Sequence, residues 1–270
     1  MSSMRALGII VPLLLSTVAV AAVQQRPQTA TPVAASAQAT SRAALTEINY
    51  ALADWRRLRA SDGYAFADYA RFLNANPGWP GESGLRRSAE KQMRPGENAN
   101  VVLAFFRTEQ PITGNGWARL AEANLSVARP AEALAAARGA WSSSDLSQYD
   151  EQLLFSRFGS QLTAADHDKR VDALLFDKKY SDAYRMMTWS SPARRAAFQA
   201  RIAMQSRSGD ANQRYQAVIG QVTSDAGLMM DRARYLRDGG YEQAARDLFA
   251  PTHQFRHKPA DVDRFLDMMV

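Results

Sequence analysis

His253 and His257 lie four residues apart, the interval that puts two imidazoles on one helical face for zinc. Pro251 and Pro259 bracket them, and Gln254, Phe255 and Arg256 fill the gap, so neither a regular helix nor a His-Glu-x-x-His motif is expected there. A polar loop between helices without a metal is the expected structure. His167 stands between Asp166 and Asp168 at the start of an expected helix and reads as a surface or capping histidine rather than a base. Cysteine is absent, which removes thiol nucleophiles, thiolate metal sites and disulfides. The pairs Arg56-Arg57, Arg86-Arg87 and Arg194-Arg195 are expected on solvated helix faces or beside Asp and Glu. Trp55, Trp79, Trp117, Trp141 and Trp189 have the flat faces that stack on sugars, but their helical spacing favours the core. No catalytic, metal or cofactor-binding residue is assigned from these groups, and no cofactor is expected.

Lys and Arg number 33 against 27 Asp and Glu, a net charge of +6, and only 5 of the 33 are Lys. A pI near 9.7 inclines the chain toward an anionic partner. Nucleic acid would suit that charge, but no recognised nucleic-acid motif is present, and the N-terminus points to export. Arg5 precedes an apolar stretch from Ala6 to Val20, and Ala19-Val20-Ala21 offers a small-residue cleavage site. Residues 1–21 therefore read as a cleavable signal peptide, and a periplasmic location is expected. The stretch is short of the roughly 20 residues needed to span a bilayer. With no Cys at the cleavage point, lipid attachment is excluded. Residues 22–42, rich in Ala, Gln, Thr, Ser and Pro, are expected to form a flexible linker.

From Ala43 onward apolar residues recur at three- and four-residue spacing, which puts His167, the arginine pairs and most of the tryptophans on helices. Leu45, Ile48, Leu52, Trp55 and Leu58 form one stripe. Asn76-Pro-Gly-Trp-Pro80 and Pro95-Gly96 end the next two helices, and Pro130 followed by Glu132 suits a helix start. Thr163 and Asp166 have the spacing of a capping box. No run alternates with period two for long enough to make a strand. Leu125 with Ala133, Leu175 with Ala183 and Leu236 with Ala244 share an eight-residue spacing across a polar turn. They predict irregular helical hairpins that stack on one another and leave a concave face. The fold class is all-α without a sheet, over residues 43–270. The stripe of Val262, Phe265, Leu266 and Met269 runs to Val270, so this domain is expected to be incomplete at its C-terminus.

Several segments carry a family resemblance. Asn76-Pro-Gly-Trp-Pro and Leu85-Arg-Arg-Ser-Ala-Glu90 come first, followed by Phe105-Phe106, Pro111-Ile-Thr-Gly114 and Arg119-Leu-Ala-Glu-Ala123. Asp145-Leu-Ser147, Phe158-Gly159, Leu162-Thr-Ala-Ala-Asp-His167, Arg170-Val-Asp172, Leu175, Tyr184-Arg-Met-Met187 and Asp231-Arg-Ala-Arg-Tyr-Leu236 continue in order. Together they resemble the N-terminal superhelical domain of soluble lytic murein transglycosylases over about residues 47–250. The resemblance implies a right-handed α-superhelix curling into a ring or horseshoe, in an enzyme whose separate lysozyme-like domain does the cutting. That family cleaves the MurNAc–GlcNAc bond of peptidoglycan without water, leaving 1,6-anhydro ends, through one glutamate that is acid and then base.

The family's catalytic signature pairs Glu-Ser-x-aromatic with a Gly-Leu-Met-Gln stretch. Glu82-Ser83-Gly84-Leu85 and Gly227-Leu-Met-Met230 carry fragments of it, but far apart and each inside a superhelix motif. Glu82, Glu90, Glu132 and Glu242 fall on polar helix positions or in turns, where an ordinary pKa near ~4.3 is expected. The chain is therefore expected to be the non-catalytic superhelical part of a periplasmic lytic transglycosylase, inactive alone. Its partner would be peptidoglycan glycan strands, bound weakly and partly by charge. The alternative is a free-standing periplasmic helical-repeat scaffold for protein partners.

Overall fold

The computed structural model describes residues 32–259 and 262–267. The expected signal peptide, with Arg5 and Ala19-Val20-Ala21, lies outside the described residues, as do linker residues 22–31 and Met269 of the last stripe. Helix α1 (Pro32–Ala60) begins inside the expected linker. Pro32 suits a first turn, and Ala34, Ala35, Ala37, Ala39, Ala43 and Ala44 give residues 32–44 a helix propensity that outweighs their lack of a hydrophobic period.

Two compact units meet at residue 49. In the first, Leu45 and Ile48 of the α1 stripe are exposed by 60% and 55%. The second begins at Tyr50, and there the same stripe becomes buried at Leu58. It contains α2 (Phe66–Ala75), α3 (Glu82–Gln92), α4 (Ala99–Phe105), α5 (Gly114–Ser126), α6 (Pro130–Trp141) and α7 (Gln148–Phe158). Next come α8 (Ala164–Phe176), α9 (Tyr180–Met186), α10 (Pro192–Gln205), α11 (Ala211–Gln216), α12 (Ala226–Asp238), α13 (Glu242–Asp247) and α14 (Val262–Leu266). The protein is all-α: among the described residues there is no strand, and no helix is long and apolar enough to cross a membrane.

Helix starts follow their local chemistry. Thr163 and Asp166 form the reciprocal capping box that their spacing predicts, at the start of α8. Pro130 and Glu132 occupy the first turn of α6. Thr113, Ser147 and Asp225 accept from the amides of Gly116, Asp150 and Leu228 and so cap α5, α7 and α12. Each such cap contributes about 1 kcal/mol.

Four helical hairpins share one turn. Ala128, Lys178, Arg207 and Gly240 each adopt a left-handed backbone, with φ of 57°, 59°, 55° and 81°. In each case the next amide reaches back to a carbonyl five residues earlier: Arg129 to Asn124 (2.9 Å), Lys179 to Leu174 (2.8 Å), Ser208 to Ala203 (2.9 Å) and Tyr241 to Leu236 (2.9 Å). This closure satisfies carbonyls that a helix end leaves open. The returning helix then buries a small residue in its first turns: Ala133, Ala183, Ala211 and Ala245 are all buried. The first two hairpins match the expected Leu125–Ala133 and Leu175–Ala183 pairs. At the expected Leu236–Ala244 pair the buried residue is Ala245 while Ala244 is exposed, because the Gly239-Gly240 turn shifts the register by one. The α10–α11 hairpin at Arg207 carries no leucine–alanine signature.

The core consists of successive apolar clusters. One joins α1–α5 around Phe72, Leu73 and Phe105; the next joins α5–α10 around Trp141, Val171, Leu174 and Phe198. A third centres on Met204, Tyr215 and Leu228, and a fourth on Phe176, Met229, Met230 and Phe265. Leu120 touches the first two clusters, and Val222 the last two.

Candidate functional site

Polar side chains buried between helices are the residues that sequence patterning places least well. Glu90, expected on a polar face, is 1% exposed at the end of α3. Its Oε2 accepts from the Thr113 amide (2.7 Å) and hydroxyl (2.6 Å), and its Oε1 from the Ile112 amide (3.0 Å). Burial pushes its carboxyl above the ordinary value, against those hydrogen bonds. The carboxylate thereby fixes the N-terminus of α5 to α3. Glu82 is also engaged: its Oε2 accepts from the Gly78 amide (2.6 Å) and its Oε1 from Arg86 Nε (2.9 Å).

A series of ion pairs continues this stapling along the chain. Arg119 of α5, 2% exposed, pairs with Asp150 of α7. Glu151 of α7 receives Arg170 of α8 (2.5 Å) and Arg185 of α9 (2.6 Å). Burial raises the Glu151 carboxyl, but hydrogen bonds from Arg185 and Arg170 outweigh this and leave it lowered. Arg138 of α6 reaches Asp166 of α8 (3.2 Å). Asp172 of α8 takes Arg194 (3.0 Å) and Arg201 (2.5 Å) from α10, and these continue to Asp225 (3.0 Å) and Asp231 (2.7 Å) at α12. Arginine suits this role because its planar guanidinium bonds several acceptors at once and is weakly hydrated. All five lysines (91, 169, 178, 179 and 258) are left exposed.

Where α8, α10 and α12 meet, a cavity of about 290 Å³ opens. Its inner wall combines Ala173, Phe176, Ala226 and Met230 with the Asp172, Arg194, Arg201 and Asp225 network. A methyl group on Gly227 would overlap the Arg201 guanidinium, so only glycine lets that charge lie against α12. Lys169 of α8 and Arg256, His257 and Lys258 of the C-terminal segment complete the lining.

Each candidate from the sequence now has a place. Residues 251–259 form no helix, as their prolines suggest; His253 Nε2 lies 3.0 Å from the Leu248 carbonyl, and His257 faces the cavity. Among the described residues no cluster of three His, Asp or Glu is arranged for a metal. His167 is no surface residue: it is 5% exposed, among Trp141, Phe155 and Trp189. Its spacing to Arg170, Val171 and Leu174 is the helical period that puts it on the buried face of α8. Burial lowers its pKa. Among the arginine pairs, Arg86 and Arg194 stand beside acidic residues: Arg86 bonds Glu82 and lies buried over the Phe105 ring, and Arg194 pairs with Asp172 and Asp225 within the wall. Trp141 is core and Trp55, Trp79 and Trp117 are half-buried, but Trp189 is 43% exposed beside Phe155.

Gly227-Leu-Met-Met230, one fragment of the catalytic signature, lies in α12, with Leu228, Met229 and Met230 in the core. Sequence reasoning missed Glu90, Arg119, Arg170, Arg201 and Asp231 as buried groups; the one local signal was their place within amphipathic segments at core spacing. No protein-family model, curated protein or solved structure matches this chain.

Proposed function

We propose that the chain is the non-catalytic helical portion of a periplasmic peptidoglycan lytic transglycosylase, exported by residues 1–21. Its hairpins would stack into a superhelix that holds glycan strands. The observation that carries this reading is where the resembling residues sit. A signature built of Glu, Asp and Arg ordinarily suggests chemistry, yet Glu90, Arg119, Asp145, Asp166, Arg170, Asp172, Arg185 and Asp231 are each bonded to another helix or its cap. Such a signature specifies how hairpins join and so describes a scaffold. Supporting it further, Glu82 bonds the turn before α3 and its own helix, and Glu90 is committed to three donors. Neither is arranged as an acid facing a sugar.

The test is incubation of the full chain with purified sacculi, followed by sedimentation and chromatography of the soluble products. The expected result is co-sedimentation at low salt that weakens at high salt, without anhydro-ended fragments. Fragments that vanish with Glu82→Gln or Glu90→Gln would overturn the non-catalytic reading. Absence of co-sedimentation at low salt would overturn glycan holding in favour of a protein-binding scaffold.

A further inference from the structure

We propose that the cavity between α8, α10, α12 and residues 256–259 binds a small organic anion carrying at least two negative charges beside a compact apolar portion. Its volume of about 290 Å³ lies at the lower end of small-molecule sites, which limits the ligand to a few functional groups. The charge of the wall is selective. Within the lining Arg194 and Arg201 are balanced by Asp172 and Asp225, and Asp231 behind them also takes Arg234, so the two arginines stiffen the site rather than attract a ligand.

The attraction comes from Lys169, Arg256 and Lys258, which are exposed and enter no ion pair among the described residues. They arrive from two separate segments, α8 and the C-terminal loop, so a dianion can engage both. A bare inorganic ion would leave the partly exposed apolar lining at Ala173 and Pro259 against water, whereas an apolar moiety would cover it. Carboxylates and phosphates share this chemistry.

The proposal does not rest on the cell-wall reading: sacculus binding and occupancy of this cavity are measured separately, and either can fail alone. Calorimetric titration of the full chain would use N-acetyl-alanyl-glutamate, its uncharged diamide and phenyl phosphate. Saturable binding of the dicarboxylate, the phosphate or both is expected, with the tighter of the two identifying the acid group. The triple variant K169Q/R256Q/K258Q should weaken it at least tenfold with an unchanged circular dichroism spectrum. The charge-matched R87Q/R107Q/R129Q, whose positions are exposed and outside the cavity, should bind as the parent does. No saturation with either anion, equal binding of the diamide, or equal weakening in the charge-matched variant would overturn the proposal.

Discussion

At Glu90 the cost of burying a carboxylate competes with the value of three donors that need an acceptor. Since burial raises its pKa, the folded chain holds this proton more tightly than the unfolded chain. Its contribution to stability is complete below the ordinary value of 4.5 and declines as pH rises through the raised one. Glu90→Gln keeps the shape but cannot ionise, so the stability gap between parent and variant should narrow from pH 4 to pH 7 in urea titrations; a pH-independent gap would refute this. Glu90→Ala should cost about 3 kcal/mol or more, because it strands the Ile112 and Thr113 donors. Glu151 behaves oppositely: its lowered pKa means stability is present above the ordinary value and lost as pH falls. Little of this is legible locally beyond the core spacing that Glu90 shares with Arg86. Glu90 lies in a polar helix, and the segment that buries it comes 22 and 23 residues later.

The hairpin turns show what a helical element tolerates. A left-handed backbone costs a non-glycine residue about 1–2 kcal/mol, yet Ala128, Lys178 and Arg207 adopt it because the turn closes a helix end. Lys178→Gly should therefore raise unfolding free energy by about 0.5–1 kcal/mol after glycine's entropy is counted, and Gly240→Ala should lower it by a similar amount. Denaturant midpoints would check both. Between elements, Arg201 and Asp231 form a buried pair whose removal on one side should cost about 3–5 kcal/mol. The double variant Arg201→Met with Asp231→Leu should be less harmful than the two singles added, by about 2 kcal/mol, since Asp172 keeps Arg194. Helix starts were readable at Pro130 and Thr163–Asp166, because caps are local chemistry. The register of the Gly240 hairpin was not, because two consecutive glycines allow the left-handed residue to fall at the second. The Arg207 hairpin escaped notice because alanines and a methionine stand where leucine marks the others.

Across the second unit as a whole, the buried apolar side chains among the described residues form four clusters rather than one centre, the fourth reaching back to Phe176 of α8. Trp55 and Trp79 pack on the first, Trp117 and Trp141 belong to the second, and no tryptophan follows Trp189. Leu228→Ala should remove about 2–5 kcal/mol from the third cluster. Circular dichroism should then report a lower denaturant midpoint than tryptophan fluorescence does. Coincident shifts of both probes would show that the clusters unfold as one. The recurrence of apolar residues at three- and four-residue spacing made the all-helical class readable from the sequence, since helical spacing is a property of each segment alone. The order in which the clusters share Leu120 and Val222 depends on contacts between segments and could not be read that way.

Because the cations buried between helices are arginines and lysine lies only on the surface, the two kinds of positive charge can be separated by reagent. Mild acylation with an amine-selective anhydride that leaves a neutral amide would strip all five lysines while every guanidinium staple stays in place. The formal side-chain charge would fall from +6 to +1 without a change of sequence. The helical framework would persist while the long-range pull on a polyanion largely vanished. Two of the five marked positions, Lys169 and Lys258, would be those a cavity-bound anion shields from the reagent.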